Sequence, residues 1–546
     1  SLVFTTHTPV EAGNERFDRD IMEYYLRPFA DAAHIPWSDL WRLGSVSGEA
    51  DKPFFMTVLA LKTAGRVNGV SRLHGRVSRR MWREVWKGLP TEEIPIFPIT
   101  NGIHLASFVS PPIRELLSRY IGVDWSCPVS TPDAWNRVHE IPEAALWAAR
   151  RENKERLLTL VESHIGERFL HYAPSRARRE EVLAALDPNA LVIGFSRRFA
   201  PYKRADLVLR DPDRLAAILN HSRRPVMILF AGKAHPEDRQ GMDLIRKVMA
   251  FCNDPRFLGR ILFLEDYDLA LARALVQGCD VWLNTPQRPH EASGTSGQKA
   301  AVNGVLNLSI ADGWWCEGAD GENGWTIGPS VPPTGPIPES NDEADAQALY
   351  ALLEETVVPL YFARDENGIP TRWVAMARHA IASLAPRFSS ARMVREYAEL
   401  CYEPMAERWQ SLFRRQFAVA RQITAWKQHI STRFASLRIR EVRVEGLLGD
   451  SLPVGHALTV HVRVEPGDLK AEEIQVQFVA GPSDGVDFLE RPDVVTLTGK
   501  GVDQSARLYS GTYTVRKNGR HAFGIRVFPW MDSLASPLDS GLVLWA

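Results

Sequence analysis

With 546 residues the chain is too long for one hydrophobic core, and two to four domains are expected. Apolar residues at 45% and charged residues at 24% are ordinary for a globular protein, and 65 basic against 66 acidic side chains leave a formal net charge of −1. That balance removes any global electrostatic argument for nucleic acid or an anionic membrane surface as partner. No apolar run approaches the roughly 18 residues that would span a bilayer, and no signal-peptide pattern is present. Cys127, Cys252, Cys279, Cys316 and Cys401 show no CxxC spacing and read as reduced thiols of a cytoplasmic protein. The 16 tryptophans suit a carbohydrate surface, and core packing accounts for most of them equally well.

In chain order, SLVFTTHTPV opens on a strand-like apolar run with no initiator Met, and reads as cut into. A helical stretch follows, then the turn Gly65-Arg66-Val67-Asn68-Gly69 and a strand in IPIFPIT. The charged run at 175–181 reads as a solvated helix face. From about residue 190 strands and helices alternate. LVIGFS (191–196), VMILFAG (226–232), ILFLEDY (261–267), DVWLNTP (280–286) and VLNLSI (305–310) read as strands. Residues 242–252 and 269–279 carry helical spacing. Such alternation predicts a parallel, doubly wound sheet, with ligands at the carboxyl ends of its strands. Residues 340 to 430 are helical in pattern. After about 432, segments such as HALTVHVRVEP and EEIQVQFVAG alternate at period two, which predicts an all-β sandwich of roughly 110 residues.

Polar clusters sit just after these strands. RRFAPYKR holds Arg197, Arg198, Lys203 and Arg204, a composition that fits either a basic surface loop or a phosphate grip. In HEASGTSGQKAAVNG, Ser293-Gly294-Thr295-Ser296-Gly297 offers backbone N–H groups and hydroxyls ahead of a helix, as an anion cradle requires; an ordinary Gly/Ser loop has the same composition. Lys299 then lies one turn into the helix, a cation at the unfavourable end of the dipole, unless an anion sits in the turn or the amine is chemically occupied. Tyr267 could pack on a planar ring. The acidic loop at 312–325 lacks EF-hand spacing, and no metal site is expected. His7, in TTHTP, reads by itself as structural.

Together these segments resemble the α-glucan (glycogen/maltodextrin) phosphorylases. TTHTPVEAGNERF, RVNGVSRLHGRVSR, ITNGIH, GFSRRFAPYKRADL, GKAHP, FLEDY, RPHEASGTSGQKAAVNGVLNLSIADGWW and DGENGWTIG stand in that family's order, and the β-module resembles the tail of its short bacterial and archaeal branch. The resemblance implies phosphorolysis of a terminal α-1,4-glucosyl unit to α-glucose 1-phosphate, with retention. It implies pyridoxal 5′-phosphate in a Schiff base with Lys299, which would leave no free cation in the helix. Gly294, Thr295, Ser296 and Arg197 would hold the cofactor's phosphate, and Tyr267 would pack on the cofactor. Arg198 and Lys203 match residues that grip substrate phosphate, Glu291 and Ser293 match groups on the glucosyl hydroxyls, and His7 matches a histidine near the substrate channel. Catalytic roles would thus fall to Arg198, Lys203, Lys299 and His7. The implied fold is two Rossmann-like lobes of GT-B type, the first incomplete over 1–110 and the second over 111–431, with the β-rich module at 432–546. Implied partners are glycogen or maltodextrin and inorganic phosphate, with a homodimer as candidate assembly and neither nucleic acid nor membrane.

Gln298 departs from the family's usual Met, His290 from Leu, and Gly65 from a glucose-contacting His of longer relatives. The family's N-terminal domain begins well before TTHTP, so an incomplete first sheet is expected. A nucleotide-sugar glucan synthase would carry Glu-x7-Glu, whereas the eighth residue after Glu291 is Lys299. A non-catalytic glucan-binding remnant remains as an alternative. A pyridoxal-phosphate aminotransferase would carry an Asp to pair with the pyridine nitrogen, and this sequence shows none.

Overall fold

The computed structural model describes residues 2–546 apart from 11–12, 47–52, 123, 128–131, 169–175, 450, 504–505 and 535. Its strands are β1 (Val3–Thr5), β2 (Arg16–Phe17), β3 (Phe54–Phe55), β4 (Arg66–Gly69), β5 (Ile96–Pro98), β6 (Leu191–Ser196), β7 (Val226–Ala231), β8 (Ile261–Leu264), β9 (Val281–Asn284), β10 (Leu306–Ile310) and β11 (Gly324–Ile327). They are followed by β12 (Arg438–Glu445), β13 (Ala457–Glu465), β14 (Ile474–Pro482), β15 (Asp493–Thr496), β16 (Thr498–Asp503), β17 (Ala506–Thr514), β18 (His521–Pro529) and β19 (Leu544–Trp545). Mixed α/β structure with parallel sheets therefore gives way to antiparallel sheets in the C-terminal region. Two expectations fall partly outside the described residues: TTHTPVEAG at 11–12, and the helix at 175–181 at its first residue, the observed helix running over Arg176–Ala184.

The first sheet is parallel, in the order β1-β4-β5. The second has six strands in the order β11-β10-β9-β6-β7-β8, every neighbouring pair parallel. The chain runs from β6 outward to β8, then returns to lay β9 against the other side of β6. The strand order therefore reverses between β6 and β9, and in such sheets the crevice at that reversal takes the ligand. Its strands are buried along nearly their whole length, as their largely apolar sequences require. Helices Pro212–Leu219, Arg239–Asn253 and Leu269–Gly278 link successive strands. Each starts on an aspartate (Asp211, Asp238, Asp268) whose carboxylate accepts a first-turn N–H. Inside, Lys154 pairs with Asp280 at 2.7 Å, and the same Asp280 oxygen accepts the N–H of Val192 at 2.9 Å, joining the entrances of β9 and β6.

The C-terminal strands form two four-stranded sheets, β12-β13-β17-β16 and β15-β14-β18-β19, around a core that includes Val460, Val462, Val476, Phe478 and Val527. This module packs on the first sheet's region. Arg526 forms a two-pronged ion pair with Glu93, one prong at 2.9 Å, and Trp545 donates its indole N–H to Gly88 O at 2.6 Å. Among the described residues no helix is long and apolar enough to cross a membrane.

Candidate active site

The loops leaving β6 and β9 are tied together by Arg204 and by backbone hydrogen bonds. After β6 the chain makes a short helical turn, Pro201–Lys203, and ends it at Arg204 with φ +47°, the left-handed region. From there Arg204 donates Nε to Thr285 O (2.9 Å) and Nη2 to Pro286 O (2.8 Å), while Thr285 Oγ1 donates to Lys203 O (3.1 Å). Gln287 N donates to Tyr202 O at 2.6 Å. These bonds carry Glu291 to the residues that follow β6.

The result is a buried charge cluster. Glu291 Oε2 accepts from Arg197 Nη2 at 2.9 Å and from Lys203 Nζ, and all three residues are less than 10% exposed. Burial pushes the Glu291 carboxyl up, but Arg197 and Lys203 outweigh it and hold the group below the usual carboxylate range. Burial, with Arg197 nearby, brings Lys203 down to about 8 although Glu291 opposes this. Two cations against one carboxylate leave a surplus positive charge in a desolvated place. Arg197 Nη1, Ser196 Oγ and Ser293 Oγ are buried there without a hydrogen-bond partner among the described residues. A buried donor left unpaired is costly, so the cluster is built to receive an anionic or polyhydroxylated ligand.

Beside it runs the glycine loop. Gly294 takes φ +84°, a conformation that disfavours any side chain, and precedes the helix Thr295–Ala301. Trp282, on β9, donates its indole N–H to Ser296 Oγ at 3.1 Å; Asn307 Nδ2, on β10, donates to Gly297 O at 3.0 Å. Lys299 requires a correction. The helix has only seven residues, so Lys299 lies in its last turn and the unfavourable dipole expected for it does not arise. What disfavours its cation is burial, which lowers the amine's pKa. Its Nζ rests 4.5 Å from the centre of the Phe108 ring.

The sequence profile of the Carbohydrate phosphorylase family matches residues 19–321, more than half of the chain. The chain belongs to that family. The profile of the Glycogen phosphorylase C-terminal domain matches residues 435–546. A maltodextrin phosphorylase of Thermococcus litoralis is 40% identical over 549 aligned positions, covering 100% of this chain and 63% of the relative. A glycogen phosphorylase of Mycobacterium tuberculosis is 39% identical over 554 positions, with the same two coverages. That of Aquifex aeolicus is 40% identical over 402 positions, 73% of this chain and 57% of the relative. The chain thus spans less than two thirds of the length of these relatives.

Within this member of the family, Arg197, Lys203, Glu291 and Ser293 converge, with Gly294, Thr295, Ser296 and Lys299 on the adjoining loop and helix. Arg198 is exposed, with its guanidinium beside Tyr202. Tyr267 is half-buried after β8, packed on the main core. His7 is exposed in the loop after β1 and lies near buried His74, whose pKa falls to about 4 through burial first and His7 last. Several groups escaped sequence reasoning. Tyr202 sits with its ring 4.6 Å from Lys203 Nζ and edge-on to His290; its place inside RRFAPYKR was the available signal. Ser71 Oγ donates to Ala292 O (2.6 Å), Gln298 Nε2 to Asn101 O (2.9 Å) and Thr100 Oγ1 to Glu317 (2.8 Å), so the first sheet's loops reach the site. No spacing rule connects residues so far apart in the chain.

Proposed function

We propose that this chain carries the phosphate and cofactor side of an α-glucan phosphorylase, which transfers the terminal α-1,4-glucosyl unit of glycogen or maltodextrin to inorganic phosphate. The family assignment and the names of its relatives support this reading, and one observation carries it: the buried Arg197–Lys203–Glu291 cluster with surplus positive charge and the unpaired Arg197 Nη1. Arg198 and Lys203 would bind inorganic phosphate. Glu291 and Ser293 would hold the glucosyl hydroxyls, with His7 toward the substrate channel. Inorganic phosphate would give its proton to the departing glucan oxygen as the C1–O bond breaks, and one of its oxygens would close on C1 from the same face. A phosphate with a pKa near 6–7 can exchange that proton at neutral pH. The two cations stabilise the charge that develops, so no pair of hydrolytic carboxylates is required.

The residues present also fit pyridoxal 5′-phosphate. Burial lowers the pKa of the Lys299 amine, the direction that favours covalent attachment through it. Arg197 retains a buried unpaired nitrogen for the phosphate, and Gly294, Thr295 and Ser296 would complete that hold. Tyr267 would pack on the ring. When bound, the cofactor supplies a phosphate able to relay a proton to the substrate phosphate. On this reading the fold is of GT-B type, with Rossmann-like lobes over 1–110 and 111–431 and a β-rich module over 432–546. The setting would be cytoplasmic, and a homodimer is the candidate assembly.

The test is borohydride reduction of denatured protein supplied with the cofactor, followed by peptide mass analysis. A phosphopyridoxyl group on Lys299, with glucose 1-phosphate released from maltoheptaose only when phosphate is added, is the expected result. An unmodified Lys299 in folded protein overturns the cofactor assignment. Glucan binding without phosphate-dependent release would leave a glucan-binding remnant.

A further inference from the structure

Asp312, the second residue after β10, is 2% exposed and forms no ion pair among the described residues. Its carboxylate accepts only backbone N–H groups, Glu291 N on Oδ2 (2.9 Å) and Gly313 N on Oδ1 (2.8 Å). Burying a carboxylate without a counter-ion costs far more than two such bonds return. Burial, aided by negative Glu291, pushes the group up to about 8 against the pull of both N–H groups and Lys203. A residue this unfavourable for stability calls for another reason to be there.

The next two residues supply it. Gly313 has φ +53°, and a Cβ there would come within 2.4 Å of Ser293 O. Trp314 N donates to Ser293 O at 2.9 Å. Residues 312 to 314 thus grip both ends of the three-residue loop 291–293, while Ser71 holds its middle at Ala292 O. Glu291 leaves this gripped backbone with its carboxylate between Arg197 and Lys203.

We infer that Asp312 is a positioning residue for the transfer reaction: by fixing the backbone N–H of Glu291 it sets where the Glu291 carboxylate stands relative to Arg197 and Lys203. The inference rests on the phosphorolytic reading for its kinetic consequence, but not for its structural one. A backbone released at residue 291 lets the carboxylate drift by the ångström or so that costs an aligned site heavily. Asn at 312 keeps one acceptor for Glu291 N and meets Gly313 N with an NH2 group, so it preserves part of the hold.

The experiment is a double-mutant cycle in the cofactor-loaded protein, with Asp312→Ala, Asp312→Asn, Glu291→Gln and the two combinations, read as kcat/KM for maltoheptaose at saturating phosphate. Asp312→Ala is expected to lower kcat/KM about 10- to 100-fold, with Asp312→Asn between it and the parent. In the Glu291→Gln background either change at 312 should cost no more than about two-fold, because its effect is already spent. Equal losses in both backgrounds would make Asp312 merely structural and overturn the inference, as would parental activity in Asp312→Ala. Where Asp312→Ala does not fold, Asp312→Asn carries the cycle alone. Should the parent protein release no glucose 1-phosphate, the phosphorolytic reading fails. The positioning role is then decided by the crystal structure of Asp312→Asn: a Glu291 carboxylate withdrawn from Arg197 and Lys203 upholds it, an unmoved one overturns it.

Discussion

Lys203 works at the edge of its charged range. Brought down to about 8, it is a cation below that pH and neutral above it, so its hold on an anion weakens as pH rises through 8. Asp312, also at about 8, gains negative charge over the same interval and acts in the same direction. The logarithm of kcat/KM for phosphate is therefore expected to fall above pH 8 with a slope steeper than −1. Lys203→Arg, whose guanidinium stays charged, should leave only the shallower Asp312 component; an unchanged profile in that variant would contradict the assignment of the lysine. Lys203→Ala should reduce phosphate-dependent turnover by about 10²-fold or more, measured at pH 7 where the parent lysine is charged.

Elements, more than residues, decide whether these groups meet. The join of β6 to β9 rests on Asp280, which takes both Lys154 Nζ and Val192 N. Lys154→Met strands that carboxylate in the core, and a loss of about 3–5 kcal/mol is expected from urea unfolding. Gly313→Ala should cost about 1–3 kcal/mol in the same measurement, since the position combines a positive φ with the carbonyl of Ser293 in the way. Much at this scale could be read from sequence, because LVIGFS and VMILFAG are buried apolar runs bounded by turns, and they are strands. Their ends could not. ILFLEDY stops being strand at Leu264, and Asp266 turns to φ +52°. DVWLNTP stops at Asn284, where Arg204 claims the carbonyls of Thr285 and Pro286. Strands β15 and β16 carry little sequence signal, because DVVT is short and TGKGVD is glycine-rich, which weakens the alternation. Spacing alone could not bring Arg197 to Glu291, 94 residues away; only the reversal of strand order does that.

At the scale of the molecule, the β-module is fastened to the first sheet's region by Arg526 and Glu93, whose side chains are 4% and 7% exposed. Removing one partner leaves a buried unpaired charge, so Glu93→Ala is expected to loosen the module at a cost of about 3–5 kcal/mol. The thermal transition should split in two, with the sequence around 526 becoming open to limited proteolysis. The exchanged pair Glu93→Arg with Arg526→Glu should regain part of the loss; identical melting of parent and Glu93→Ala would show that the pair fastens nothing.

That fastening has a consequence for how the chain comes to be made. Glu93 and Arg526 are 433 residues apart, and Gly88 and Trp545 are 457 apart. At ribosomal speeds of about 5–20 residues per second, on the order of 20–90 s pass between the synthesis of Glu93 and that of its counter-ion. Throughout that interval the carboxylate must stay hydrated, because closing it into the interior alone would be prohibitive. The docking of the β1-β4-β5 sheet therefore waits on β18 and β19, and that flank stays open until they have been made.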